Sequence, residues 1–218
     1  MLTLALDAAA SLGTIAVLRD ATVVAEREVR MRSADEERFM PAVLAALDEA
    51  RVAPAGLDRI VCGAGPGSFT SLRVAGAVAK GLAMGADRPL FAVPSLALTV
   101  AASDATMEPG SRWLATLDAM RGERYLALVS VGDAGRLSAI EPLGLAPAGD
   151  VAARAAALGA RPIGPDEAMS AWPHARGVAR CLELVEAAGP VDIASWEPVY
   201  GRLAEAQAKL LRSQRGAP

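Results

Sequence analysis

Histidine and cysteine are nearly absent from this chain of 218 residues: His174 stands alone, and Cys62 and Cys181 are the two cysteines. Two cysteines so far apart suggest neither a disulfide framework nor a zinc site. Cys62 closes an apolar run and reads as a buried free thiol. A single histidine in a Trp-Pro-His-Ala loop, without cysteine or paired acids nearby, reads as a surface residue rather than a ligand. Lysine is scarce as well, with Lys80 and Lys209 among mostly arginine cations. A net charge of −3 argues against autonomous nucleic-acid binding, which normally shows a basic face, though not against a complex in which another subunit holds the nucleic acid. No apolar stretch reaches bilayer length before Gly, Pro or a charge interrupts it. The opening Met1–Asp7 has no basic region and meets an acid quickly, so no signal peptide is expected. The expectation is a soluble cytoplasmic protein that makes no membrane contact.

What the chain has is apolar content, 53%, enough for one sizeable core or two small ones. It also has one dense glycine turn, Gly63-Ala64-Gly65-Pro66-Gly67-Ser68-Phe69-Thr70, between an apolar run (57–62) and a helix-like segment. Glycines admit positive φ and close approach of another surface. Ser68 or Thr70 can cap the helix. The turn departs from both common nucleotide templates. Ser68 stands where a dinucleotide fingerprint needs its third glycine, and Ser71-Leu72-Arg73 is not the Gly-Lys-Ser/Thr end of a P-loop. Spacing leaves two readings open, a phosphate cradle or a tight strand–helix connection.

The rest of the first half reads as strands at 2–6, 14–19 and 22–29, with Asp20-Ala21 as a hairpin turn. Ser33-Ala34-Asp35-Glu36 has the capping-box pattern. The helix it opens carries Phe39, Val43, Leu44, Leu47 and Ala50 as an amphipathic stripe, with Pro41 near its first turn or at a bend. After the glycine turn, Leu72, Ala75, Gly76, Ala79, Leu82 and Ala83 line one side of a second helix whose small residues allow close packing. A strand at 90–93 and a helix at 95–103 complete a βββαβαβα order, the pattern of one lobe of an actin-like or sugar-kinase-like fold. Met107-Glu108-Pro109-Gly110 marks the boundary, so residues 1–106 and 107–218 are expected as two subdomains. In the second, strands are expected at 112–118, 124–131 and 137–141, and helices at 148–158, 176–188 and 201–212. The last helix is expected to return to the first subdomain, and residues 159–173 read as a Pro- and Gly-rich stretch. The second half is expected to be a reduced lobe, and no internal repeat is visible.

The block Gly65-Pro66-Gly67-Ser68-Phe69-Thr70-x-Leu72-Arg73-Val74, continuing to Ala79-Lys80-Gly81-Leu82-Ala83, closely resembles the TsaB (YeaZ) family. That family supplies the dimerisation subunit of the bacterial machinery making N6-threonylcarbamoyladenosine (t6A) at tRNA position 37. Supporting matches are the strand ending at Asp7, the stretch Leu117-Asp118-Ala119-Met120-Arg121-Gly122-Glu123-Arg124-Tyr125, and Glu197-Pro198-Val199-Tyr200-Gly201-Arg202. The resemblance implies an α/β, actin-like ATPase (ribonuclease H-like) fold of two subdomains, related to the catalytic partner TsaD and to proteins once labelled M22 glycoproteases. In the TsaD-type pattern a Val-Asn-His-x-x-x-His segment supplies two metal-binding histidines. Here Ser95 and Thr99 stand at those positions, and neither hydroxyl is a good transition-metal ligand. Relatives commonly have Asp-Thr-Ser after the first strand, where this chain has Asp7-Ala8-Ala9. Ser71 replaces a usual glycine, and Ala34-Asp35-Glu36 replaces a His-Ser-Glu.

The resemblance therefore implies an accessory subunit without its own catalytic, metal or cofactor site. ATP and metal would be handled by TsaD and by a third subunit, the ATPase TsaE. The expected partners are TsaD as a heterodimer, TsaE near that junction, a second copy in isolation, and tRNA only through the complex. The implied interface helices carry Phe39, Met40, Val43, Leu44, Leu47, Leu72, Ala75, Gly76, Ala79, Leu82 and Ala83, part of the stripe being exposed in the monomer. A vestigial nucleotide site would use Asp7, Gly65, Pro66, Gly67, Ser68, Phe69, Thr70, Arg73 and Asp118. Asp7 and Asp118 can equally be strand-end turn formers bonded to backbone N–H groups. The alternative function is a small actin-fold ATPase or kinase using Asp7, Asp118 and the glycine turn; an M22-type metallopeptidase stands last.

Overall fold

Side-chain alternation along the first strand sorts the whole architecture. In β1 (Leu2–Asp7), Leu4 and Leu6 enter one apolar cluster while Ala5 enters another on the opposite face. The computed structural model describes residues 1–31 and 38–201. The capping-box residues, the helix expected at 201–212 and its return to the first subdomain therefore lie outside the described residues.

The first sheet runs β3-β2-β1-β4-β5, from β2 (Leu12–Arg19), β3 (Thr22–Arg30), β4 (Arg59–Gly63) and β5 (Leu90–Val93). The first three strands are antiparallel, whereas β4 and β5 join in parallel. Helices α1 (Phe39–Glu49) and α2 (Phe69–Ala86) cover its outer face, with Leu4, Leu6, Ile15, Phe39, Val43 and Ala79 in one cluster. Pro41 sits in the first turn of α1, where its missing N–H is not needed.

The second sheet runs β10-β9-β6-β7-β8, from β6 (Arg112–Asp118), β7 (Glu123–Val131), β8 (Leu137–Pro147), β9 (Arg161–Gly164) and β10 (Met169–Ser170). β6, β7 and β8 form an antiparallel meander, and β9 joins β6 in parallel. The second sheet thus repeats the connection order of the first, a duplication not visible in the sequence. The loop 165–168 takes the place of a helix equivalent to α2, which is how the second lobe is reduced. The Pro- and Gly-rich 159–173 stretch holds two strands that were not expected, β9 and β10; runs of four and two residues are too short to show a period. β8 extends well past residue 141 because β7 pairs with it along its length through two register shifts.

Helix α3 (Ser95–Ala101) and helix α5 (Val178–Ala188) lie between the sheets, and α4 (Val151–Ala157) covers the outer face of the second. One apolar cluster runs from Ala5, Leu18 and Val61 through Leu98 and Cys181 to Trp113 and Val129. The result is an α/β protein of actin-like architecture with two lobes on a shared central layer. Among the described residues no helix is long and apolar enough to cross a membrane.

Candidate functional site

The glycine turn closes on the chain itself. Gly65 has φ +83°, and a Cβ there would lie 2.4 Å from the Val199 carbonyl oxygen. A Cβ on Gly67 would lie 2.2 Å from the Ala9 carbonyl oxygen. The turn's amides follow the same pattern. Ala64 N–H donates to the Val93 carbonyl (2.7 Å), Ser68 N–H to the Ala9 carbonyl (2.8 Å), and Gly65 N–H to the Ser95 hydroxyl (3.0 Å). Ser68 takes the N-cap position of α2, yet its hydroxyl pairs with the Ser71 hydroxyl at 3.0 Å rather than with a first-turn amide. Thr70 lies inside the first turn. Phe69 packs against Tyr200 (4.6 Å between ring centroids) and carries the Arg73 guanidinium over its face at 4.7 Å.

Beneath the turn lies Asp7, fully buried. Its Oδ2 accepts from the Ser95 hydroxyl at 2.5 Å and its Oδ1 from Ala9 N–H at 3.0 Å. Burial pushes the carboxyl up to about 6, against the opposing pull of these two bonds. Gly63 makes room for it: a Cβ there would meet Asp7 Oδ2 at 1.9 Å. Thr99 is also buried, its hydroxyl donating to the Ser95 carbonyl at 3.1 Å. Asp118 closes β6 as Asp7 closes β1, and it too accepts an amide two residues on, from Met120, at 3.1 Å. Unlike Asp7 it is exposed, and it shares Arg124 with Asp166 (2.8 and 2.9 Å). The two aspartates thus hold equivalent corners of the two lobes in different surroundings.

The two outer helices correct one expectation. Phe39, Val43, Leu47, Leu72, Ala75, Gly76, Ala79 and Ala83 are buried within this chain, so Phe39 and Val43 are not exposed positions. The sheet reaches them because Gly13 leaves room: a Cβ there would lie 2.7 Å from the Phe39 ring. Met40 and Leu82 are half-buried, and Leu44 is 49% exposed. Beside Leu44, the outward surface carries Ala45, Ala77, Gly81, Gly85 and Met84.

Two clefts lie away from α1 and α2. The first, of about 250 Å³, lies between the lobes beside the glycine turn, and Pro66, Leu96, Tyr125, Ile140 and Leu145 are among its apolar lining. The second has a mixed polar and apolar lining and holds His174, which is buried and not the surface residue expected. Its Nδ1 accepts from Arg176 N–H (3.0 Å) and its Nε2 faces Glu28 Oε1 (3.3 Å). Burial, aided by the Arg176 charge, holds this imidazole down at about 4, so it is neutral at pH 7. Spacing gave no warning of either cleft, although the motifs singled out in the sequence line the first through Gly65, Pro66, Tyr125, Val199 and Gly201. Among the described residues no three His, Cys, Asp or Glu side chains gather as a metal site.

Comparison with known proteins gives this geometry its relatives. The family model "TsaD: tRNA N6-adenosine threonylcarbamoyltransferase" matches residues 31–151. The chain is 38% identical over 132 residues to "tRNA threonylcarbamoyladenosine biosynthesis protein TsaB" of Bacillus subtilis (strain 168), covering 59% of this chain and 55% of that one. It is 35% identical over 124 residues to the protein of the same name from Escherichia coli (strain K12), covering 57% and 53%. The aligned stretch therefore spans about half the length of these curated relatives. Among solved structures, "YeaZ from Pseudomonas aeruginosa" is 28% identical with a TM-score of 0.67, covering 91% of this chain and 99% of that one. A second structure, "an uncharacterized protein with similarity to peptidase YEAZ from Pseudomonas aeruginosa", gives 28% identity, a TM-score of 0.73, and coverage of 92% and 99%. With the Gly65–Thr70 block inside the matched region and the two-lobed fold shared along nearly its whole length, the chain belongs to the TsaB (YeaZ) family.

Proposed function

We propose that this chain is a non-catalytic partner of a TsaD-type threonylcarbamoyltransferase, required for t6A formation at tRNA position 37. The observation that carries the reading is the self-directed glycine turn. Its amides at Ala64, Gly65 and Ser68 go to Val93, Ser95 and Ala9, and the faces of Gly65 and Gly67 that a side chain would occupy lie against the Val199 and Ala9 carbonyls. The turn is then a scaffold that launches α2. Metal and ATP belong to TsaD and TsaE, and tRNA is met through the complex in the cytoplasm.

The docking face is the outward side of α1 and α2. Gly81 and Gly85 have nothing within 4 Å of a built Cβ, although glycine inside a helix costs about 1 kcal/mol each. With Ala45 and Ala77 they leave a shallow surface that another helix can approach closely, flanked by the apolar Leu44 and Met84. A stable pairing there would bury about 1,200–2,000 Å² in total, with TsaD or, in its absence, with a second copy.

The test is reconstitution of tRNA modification with and without this subunit, beside sizing of the subunit alone and with TsaD. Modification should require the subunit, and Leu44→Asp with Met84→Glu should abolish co-elution with TsaD while leaving the circular dichroism unchanged. Nucleotide binding by the isolated chain that is lost in Asp7→Ala would favour the small ATPase or kinase reading instead.

A further inference from the structure

Two of the three tryptophans already carry a cation from this chain. The Arg161 guanidinium lies 4.0 Å from the Trp113 ring centre, and the Lys80 ammonium 5.9 Å from that of Trp196. Trp172 is the exception. Among the described residues neither a cation nor another ring lies on it, and it is 47% exposed in the lining of the second cleft. An indole face is the best of the aromatic faces for a cation.

That cleft, of about 290 Å³, takes its walls from both lobes. Glu28 comes from β3, Asp104 from the bend after α3, and Trp172, His174 and Arg176 from the segment after β10. A concavity of this size suits a small molecule rather than the face of another protein.

The charges in the lining do not cancel. Arg176 is committed: its Nε and Nη2 donate to the Ala102 carbonyl at 3.3 and 3.0 Å, and its Nη1 stands 3.9 Å from Glu26, which offsets its charge. His174 accepts the Arg176 amide at Nδ1, so its one ring proton sits on Nε2, the atom that faces Glu28. A neutral imidazole turned this way orients the Glu28 carboxylate without neutralising it. Asp104 has neither a hydrogen-bond nor an ion-pair partner among the described residues. Two carboxylates therefore remain, in a cleft whose walls concentrate their field, beside an indole with nothing on its face.

We infer that this cleft binds a small organic cation, an ammonium or guanidinium group on a short apolar stem, held by the Glu28 and Asp104 carboxylates and the face of Trp172. The aromatic wall selects the weakly hydrated organic cation over a strongly hydrated metal ion. The site is independent of which partner α1 and α2 receive.

The experiment is a titration of the ¹⁵N-labelled full-length chain with n-butylguanidinium, followed by the three indole N–H signals in NMR spectra. The signal missing from Trp172→Phe identifies Trp172. That signal should shift saturably, with a midpoint on the order of millimolar, while those of Trp113 and Trp196 stay in place. Glu28→Gln/Asp104→Asn should weaken binding at least about fivefold, and each single substitution less. The unmoved Trp113 and Trp196 signals show that these variants remain folded. Raising sodium chloride from about 0.05 to 0.5 M should weaken binding as well. The uncharged 1-butanol, of equal stem length, should bind at least about fivefold more weakly than the cation. Equal responses to the cation and to 1-butanol would overturn the inference. An affinity unchanged in the double variant, or shifts spread evenly over all three indole signals, would overturn it too.

Discussion

The Ser95 hydroxyl donates to Asp7 Oδ2 at 2.5 Å while accepting Gly65 N–H at 3.0 Å. One hydroxyl thereby joins the end of β1, the start of α3 and the glycine turn. Ser95→Ala should destabilise the fold by about 2–3 kcal/mol at pH 7, because a buried carboxylate loses a donor and a buried amide loses its acceptor. The loss should be smaller at pH 5, where the carboxyl is largely protonated. Combining Ser95→Ala with Asp7→Asn should cost less than the sum of the two, measured by urea unfolding at both pH values.

Asp7 itself works against stability at neutral pH. Its folded carboxyl titrates at about 6 and an ordinary aspartate at 3.8, so between those values the folded state holds the extra proton. Its favourable contribution is complete below about pH 4 and fades as pH rises through 6, by about 3 kcal/mol. Asp7→Asn should flatten that slope and raise the unfolding free energy at pH 7 relative to the parent. An unchanged slope in denaturant titrations from pH 4 to 7 would show that Asp7 is not the group responsible.

His174 should give the opposite slope. Its imidazole is held down at about 4, whereas an unfolded histidine titrates at 6.5, so the unfolded chain takes up the proton first. Stability from this residue is complete above pH 6.5 and is lost as pH falls toward 4. The amount is about 2 kcal/mol once water at the ring's edge is allowed for. His174→Gln should remove this acid-side loss in the same titrations.

Two glycines should respond in opposite directions to one methyl group. Gly67→Ala forces a Cβ to within 2.2 Å of backbone and should destabilise by about 3 kcal/mol. Gly81→Ala meets nothing within 4 Å and should stabilise α2 by about 1 kcal/mol. Thermal unfolding of the isolated chain checks both. If α2 docks as proposed, Gly81→Ala should also weaken co-elution with TsaD.

Much of the first lobe was legible because its strands are long and its one glycine turn is dense. β1, β2, β3 and α2 follow from apolar runs and spacing. What was not legible depends on who covers an apolar stripe. Periodicity placed Phe39 and Val43 on one face of α1, but the room that Gly13 leaves in β2, and hence their burial, is a three-dimensional fact. His174 was misplaced for the same reason: its loop packs onto Thr14, whose hydroxyl accepts Ala175 N–H at 3.0 Å from the far end of the sequence. Asp7 read as a strand-end turn former or a metal-facing acid. Its amide bond to Ala9 fits the first reading, while its depth beneath Gly63 belongs to neither.

The central layer has a mechanical meaning. α5 touches β5 of one sheet and β8 of the other, and Leu98 of α3 shares a cluster with Val61 and Trp113. A clamp needs a seam, a line along which two rigid halves can part without tearing a core. Here that line is filled by helices belonging to both halves, and the chain crosses it again at Gly201. The molecule is built as a wedge rather than a jaw, with one apolar cluster running from the first sheet through α3 and α5 to the second. Calorimetry should therefore record a single cooperative transition, with equal calorimetric and van't Hoff enthalpies, in place of one per lobe.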